Sequence, residues 1–584
     1  MNENTDYRRM ILAVVMSGVV LALWTYMFPQ QPPPKQNAPD AGVAQNGGEQ
    51  GKAGGDATKP DEKPAPKIPV LDPSLEKITG LKAGDLFNLE LSNLNGALKS
   101  WSLTEDQYLI KTDDGLKPDR FVRPLGEADD KSVFLPPQLD VLANDLSVVG
   151  VYDAKVADDA KSVSFTHRDA TTGLEIVRTW RVSDLQYVLD GEVTVRNTGN
   201  AAVDVALKGR MAGLQNDSEA TGSMFTPPIY LFESLCQEKE VFHREMIASV
   251  ASDLNDPEEP TAFANGVQWA AVNNRYFMMG MLPGVGADPI KACEFFVDPK
   301  NAGLPETTKI PVGFSLAVTV ADFGASKLEP GQTLSRKFQI YGGPKKYEVV
   351  SATTPPMSDA VDFGWFTVVS VPMLKIMRLF FSWVGNWGIA IVLLTILVKL
   401  LTLPLTQKQY KSMASMKKIQ PQMKALQAKY KEDKLKQQQE IMKLYKEHNV
   451  NPLAGCLPVV LMMPIYLALY RTIYSSVELY QADLGGWIHD LSQPDPFYIL
   501  PLALGGLMFL QSRLSPTAGD QAQQKIIMYL MPVIFTLMML FLPAGLVLYI
   551  AANTIMGLVQ QYVLLKKAEA EPAPSLKKGK NARA

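Results

Sequence analysis

The apolar residues of this 584-residue chain fall in blocks, and those blocks constrain the fold more than any average does. Ile389–Leu405 is a run of 17 interrupted by a single charge, Lys399. Leu453–Tyr470 gives 18, Phe497–Leu510 gives 14, and Ile526–Leu542 gives 17. Pro543–Leu565 follows with no polar loop, and its Leu542-Pro-Ala-Gly545 start reads as a tight turn between two helices. Runs of this length, at about 1.5 Å per helical residue, can cross a hydrocarbon core ~30 Å thick. A helix meets every backbone hydrogen bond internally, as lipid requires. The shortest run reaches only about 21 Å and must extend into its flanks or thin the bilayer. A further run of 19, Met10–Phe28, follows Arg8 and Arg9 and ends in Trp24, Tyr26 and Phe28. It lacks a small-x-small cleavage pair, so an uncleaved signal anchor is favoured over a cleaved signal peptide. Six spans are expected. Val361–Val384 mixes Trp365, Phe366 and Phe380 with Asp362, Lys375 and Arg378, a pattern suited to a helix lying in the membrane interface.

Between the first span and the rest, the composition changes twice. Residues 29–67 carry eight Pro and six Gly with almost no large apolar side chain, and read as a flexible tether. From 68 to 350 the period becomes two, as in Ser162-Val-Ser-Phe-Thr166. Glu192–Arg196 and Val203–Leu207 flank Asn197-Thr-Gly-Asn200, a connection of hairpin type. A large, mainly β domain of sandwich type is expected there.

Charge sets the orientation. Residues 29–361 hold 32 basic and 46 acidic side chains, which disfavours nucleic acid as a partner of this region. Residues 407–448 hold eleven Lys against four acids, and 566–584 six Lys or Arg against two. Basic segments stay inside, so both are assigned to the cytoplasm and the acidic domain to the outer side. Six spans put the two termini on one side, in agreement with Arg8 and Arg9.

Catalytic chemistry finds no support. Three Cys and four His are scattered, with no CxxC, no HExxH and no phosphate-binding loop, so no metal or cofactor is expected. Lys399 stands out instead. An ionisable group inside a span faces protein or water as a rule, although a lysine stem can also snorkel to the headgroups. Thr395, Lys399 and Thr402 are spaced i, i+4, i+7 and share one helix face, which favours a hydrated groove. Asn553 and Thr554 in the last span either line the same groove or bond between helices. In the cytoplasmic segment, Met416, Ile419, Met423, Leu426 and Tyr430 follow coiled-coil spacing, and Leu435, Ile441, Met442 and Tyr445 can supply the partner stripe of a helical hairpin. Pro421 is expected to kink the first helix or mark a junction. Its lysines are either a topology signal alone or contacts for anionic lipid and ribosomal RNA.

At Gly385-Asn-Trp-Gly388, Leu403-Pro-Leu-Thr406, Asn451-Pro-Leu-Ala-Gly-Cys-Leu-Pro458, Met463–Tyr470, Trp487–Leu491, Met531–Phe535 and Gly545–Tyr549 the sequence resembles the YidC-type membrane protein insertases, in the Gram-negative branch. The resemblance implies an α-helical polytopic membrane protein of six spans. It further implies a five-helix insertase core (385–565) and an inserted, mainly β supersandwich domain in the periplasm. It implies a non-enzymatic insertase and chaperone of the bacterial inner membrane, working alone or with the Sec translocon. Its partners would be nascent membrane protein clients, the lipid bilayer and, transiently, the ribosome, with no sequence-specific nucleic acid. The family's groove bears a basic residue, often Arg, that attracts acidic parts of the client; Lys399 matches it, with the charge but without the guanidinium fork. Thr395, Thr402, Tyr549 and Asn553 are the other expected groove residues, and Met416, Met423 and Leu426 the expected client contacts of the hairpin. Ile550 stands where the family can carry a second aromatic. A transporter using Lys399 as an ion-coupled site is the alternative, but no internal repeat and no acid in any span supports it. Client set, oligomeric state and the pairing of Cys236 with Cys293 stay open.

Overall fold

The computed structural model describes residues 71–112, 115–124, 131–219, 231–253, 261–299, 302, 309–448, 457–514 and 526–570. The expected first span, the tether, Asn451 to Cys456 and the last 14 residues of the basic tail lie outside these.

Alternation of apolar and polar residues over 78–344 gives two facing sheets. The first, neighbour to neighbour, runs Ile78–Ala83, Phe87–Ser92, Ala97–Leu103, Gly115–Val122, Val133–Ala143, Val203–Asn216, Phe314–Leu328, Ala292–Phe296 and Ala262–Phe263. The second runs Phe242–Met246, Glu233–Gln237, Trp269–Asn273, Phe277–Pro283, Thr333–Pro344, Val188–Asn197, Leu174–Val182, Ser162–Asp169 and Asp153–Val156. Pairing is antiparallel apart from a parallel bridge between Val122 and Phe134. Burial alternates as a two-layer packing demands: Leu174, Ile176 and Trp180 of one strand are buried, as are Val193 and Val195 of its neighbour. Phe87, Trp101, Phe121, Tyr187 and Phe277 fill the space between the layers.

One local expectation fails here. The segments around Asn197–Asn200 do not form a hairpin. Val188–Asn197 pairs with Thr333–Pro344 and Leu174–Val182 in the second sheet, whereas Val203–Asn216 pairs with Phe314–Leu328 and Val133–Ala143 in the first. The connection is an arch between layers. Asn197 holds it: its Nδ2 donates to the carbonyls of Ala201 (2.8 Å) and Leu328 (2.9 Å), and its Oδ1 accepts from Gly199 N (2.9 Å). Both strands alternate, so the pattern alone leaves their sheet unspecified.

Seven helices of the C-terminal part concern the site: α1 (Thr367–Val384), α2 (Trp387–Lys429), α3 (Lys434–Glu447), α4 (Leu457–Ser475), α5 (Ile499–Leu514), α6 (Met531–Met539) and α7 (Ala544–Ala570). Among the described residues, Gly364–Val384, Trp387–Gln407 and Ala544–Val563 are long and apolar enough to cross a membrane, and Ile499–Leu514 and Met528–Met539 are shorter apolar helices. The break between α1 and α2 is built by two residues. Gly385 takes a left-handed conformation (φ +65°) that ends α1, and Asn386 caps α2 by accepting from Ile389 N (3.0 Å). α2 then runs 43 residues without a break, through both Pro404 and Pro421, so Pro421 marks no junction. The turn before α7 docks on the loop after α4: Ala544 N donates to Gln493 O (2.7 Å) and Gly545 N to Leu491 O (2.9 Å).

The β-domain sits on the same loop. Gln107 Nε2 donates to the carbonyls of Val477 (3.0 Å), Glu478 (3.2 Å) and Tyr480 (2.9 Å), and Arg275 Nε to that of Tyr474 (2.8 Å). Asp362, where the sandwich gives way to the helices, lies 3.4 Å from Arg244 and 3.2 Å from Arg471. These two guanidinium groups hold its carboxyl below the usual range against the opposing effect of burial.

Candidate functional site

α2 presents two different faces. Ile396, Leu400 and Leu401 are exposed, Leu401 to 71%, while Thr395 and Lys399 turn inward and Lys399 keeps only 6% of its surface. Its stem therefore runs into the bundle rather than along the lipid-facing side. Lys399 lies about 18 Å of helix rise from Trp387 and about 12 Å from Gln407, well inside the apolar stretch. Among the described residues no carboxylate pairs with it.

The threonines beside it have spent their protons. Thr395 Oγ1 donates to Ile391 O (2.7 Å), Thr402 Oγ1 to Val398 O (2.8 Å), and Thr406 Oγ1 to Leu403 O (3.0 Å). Each hydroxyl keeps its oxygen lone pairs as acceptors. The face thus combines one cation, with its donors uncommitted among the described residues, and a line of acceptors. Thr406 is buried and extends the i, i+4, i+7 stripe by one further step of four, a signal that the spacing already contained.

α7 packs against α2 and α5 and carries the second polar line. Tyr549 is buried, and its hydroxyl has no hydrogen-bond partner among the described residues. Asn553, half-buried, lies beside Tyr466 of α4, and Tyr549 neighbours the same tyrosine. Thr554 Oγ1 donates to Ile550 O (2.7 Å), and Ile550 itself packs on the apolar core. Gln561 is buried two turns beyond Thr554, on the same face; i, i+7 spacing was again the available signal. The structure therefore gathers Tyr466, Tyr549 and Asn553 into one cluster and Thr395, Lys399, Thr402 and Thr406 into a stripe on the adjoining helix. No hydrogen bond joins Lys399 to that cluster among the described residues.

The hairpin of α2 and α3 closes on itself. Ile419 and Met423 of α2 pack with Leu444 and Tyr445 of α3, and Met416, Leu426 and Ile441 flank them. Tyr445 Oη donates to Met423 Sδ (3.2 Å), and Gln437 Nε2 to Gln427 O (2.8 Å). Met423, expected to meet clients, is only 2% exposed and is committed to this internal seam. Leu435 and Met442, expected in the seam, are exposed instead, because α3 turns its Ile441–Leu444–Tyr445 face inward.

Comparison with known proteins gives the family of the chain. The model of the 60Kd inner membrane protein family matches residues 379–571, and that of the YidC periplasmic domain matches residues 85–376. A membrane protein insertase YidC of Anaeromyxobacter dehalogenans is 34% identical over 581 residues, covering 98% of this chain and 99% of the relative. The protein of the same name from Cupriavidus taiwanensis is 34% identical over 411 residues, covering 70% of this chain and 69% of its own. Among solved structures, the crystal structure of an active YidC insertase with its first transmembrane domain resolved aligns at 19% identity and a TM-score of 0.34, covering 83% of this chain and 94% of the other. An end-to-end match at 34% identity, with one family model over the sandwich and another over the helices, makes this chain a member of the YidC family of membrane protein insertases.

Proposed function

We propose that the insertase works through a groove between α2 and α7 in which Lys399 receives acidic parts of a client. The observation that carries this reading is the inward-facing ammonium, at 6% exposure within an apolar span and unpaired among the described residues. An unpaired buried cation costs a few kcal/mol and lowers the cost of drawing a carboxylate into the same site. Thr395, Thr402, Tyr549 and Asn553 supply polar contacts along the path. Transfer of the client's apolar helix sideways into lipid provides the driving force, at about 25 cal/mol per Å² of apolar surface removed from water.

The topology that serves this mechanism has six spans, both termini in the cytoplasm and α1 in the outer interface. The two lysine-rich segments support it. Arriving chains meet the hairpin first, where Met416 and Leu426, with exposed Leu435 and Met442, offer adaptable apolar contact. The Sec translocon and the ribosome are proposed as partners of that encounter. Lys399→Ala tests the groove. Insertion of a single-span client with an acidic external tail, in cells depleted of the native insertase, should fall at least tenfold. A client whose tail lacks acids should be affected less. Equal insertion of the acidic client by variant and parent removes the role given to Lys399.

A further inference from the structure

Two cysteines of the β-domain play no part in the insertase mechanism. Cys236 lies on Glu233–Gln237 of the second sheet and Cys293 on Ala292–Phe296 of the first, and neither has any exposed surface. Their cross-strand neighbours fix where they point. Cys236 stands opposite His243 and Cys293 opposite Phe263 in antiparallel register, and opposed residues share a sheet face. The rings of His243 and Phe263 stack at 3.8 Å, which brings those two faces together. Both are free thiols in this structure, and Cys236 is the first neighbouring group to act on the Cys293 thiol. Nearby, Thr319 Oγ1 donates across the layers to Ala271 O (2.9 Å), one residue from Ala270, which pairs with Cys236. Phe242–Met246 and Ala262–Phe263 are the last strands of their sheets, so the thiols face each other near a shared open edge.

We infer that Cys236 and Cys293 form a disulfide that staples the two sheets at this edge, a claim that rests on the domain's periplasmic location. The oxidant is an external protein disulfide. A thiolate of this chain attacks it to give a mixed disulfide, and the second thiolate then displaces the donor. The new S–S bond forms, two protons leave, and two electrons reduce the donor to its dithiol. Burial pushes the Cys293 thiol well above its ordinary range, so thiolate is scarce once the sandwich has closed. Exchange therefore belongs to the folding chain, and the finished bond is shielded from reductants.

The test uses the full-length protein from membranes, denatured in maleimide. Without reductant one thiol, Cys456, should be modified, and after reduction three, with a peptide linking 236 and 293 found only in the unreduced sample. Reductant should also lower the unfolding midpoint of the β-domain by roughly 5–10 °C in the parent, and not in a Cys236→Ala/Cys293→Ala double variant. Three modified thiols without reductant overturn the disulfide, and a parent midpoint insensitive to reductant overturns its role as a staple. Protease added to spheroplasts separates the causes. A digested domain with three modified thiols defeats the disulfide alone, whereas an intact domain with three modified thiols defeats the location on which it rests.

Discussion

Arg210 in the sandwich and Lys399 in the helical bundle are buried to the same degree, each 6% exposed. Arg210 has Asp140 at 2.6 Å, Gln138 Oε1 at 2.9 Å and the carbonyl of Ala302 at 3.1 Å. Lys399 has no carboxylate partner among the described residues. A buried charge that is paired and hydrogen-bonded is part of the structure, whereas one held without a partner weakens the fold, and in the function proposed for Lys399 it is kept for what it binds. The contrast separates a scaffold from a working surface by chemistry rather than by position.

The most severe way to break that contrast is to remove both cations. Arg210→Met strands Asp140 and should cost about 3–5 kcal/mol of β-domain stability, seen as a lowered denaturant midpoint. Lys399→Met should leave the stability of the bundle unchanged or raised while client insertion falls. If both variants lose stability equally, the two cations do the same job.

Lys345 sharpens the comparison from within the scaffold. In the orientation that satisfies both ends, the Asn273 amide accepts from its Nζ (2.9 Å) and donates to Glu233 (3.1 Å), and Ala360 O also accepts from Lys345 (3.3 Å). Burial, then Arg244, brings its pKa down to about 7 against the favourable charges of Glu233 and Asp362. Between about pH 7 and the ordinary value of 10.5 the unfolded chain holds the proton that the folded chain has released, so this group's contribution to stability rises with pH. Lys345→Met should be the more stable protein at pH 7, and its advantage over the parent should narrow by pH 10 in denaturant titrations.

Smaller effects follow in the bundle. A Cβ at Gly505 would lie 2.2 Å from Thr536 Oγ1, so Gly505→Ala must separate α5 from α6. It should cost about 1–3 kcal/mol, read as a lower thermal midpoint in detergent. Asn386→Ala removes the cap of α2 and its donation to Asp483 O (3.1 Å), and should cost about 1 kcal/mol by the same measurement.

How much of this was legible in the chain depended on the range of the interaction. The apolar runs and the period-two region announced helices and sandwich because burial acts on every residue of a long segment. The spacing of Thr395, Lys399 and Thr402 gave their common face for the same reason. Sheet membership around Asn197 was not legible, since it depends on partners over a hundred residues away, such as Leu328. The packing face of α3 was also misjudged. Leu435 and Leu444 are alike in type, and only the docked geometry leaves one exposed and the other buried. The clustering of Tyr466 with Tyr549 and Asn553 required the fold, because those residues sit on different helices.

The unbroken course of α2 has a mechanical consequence. From Lys399 to Lys429 the helix rises about 45 Å, so the hairpin is the far arm of a lever whose near arm bears Lys399. A tilt of roughly 10° of this arm displaces the hairpin tip by about 8 Å. Pro404 and Pro421 each delete one backbone hydrogen bond and so set where such a lever bends. A load placed on the hairpin arm is thereby carried along one helix to Lys399, which the function proposed above makes the first receiver of the client's charge.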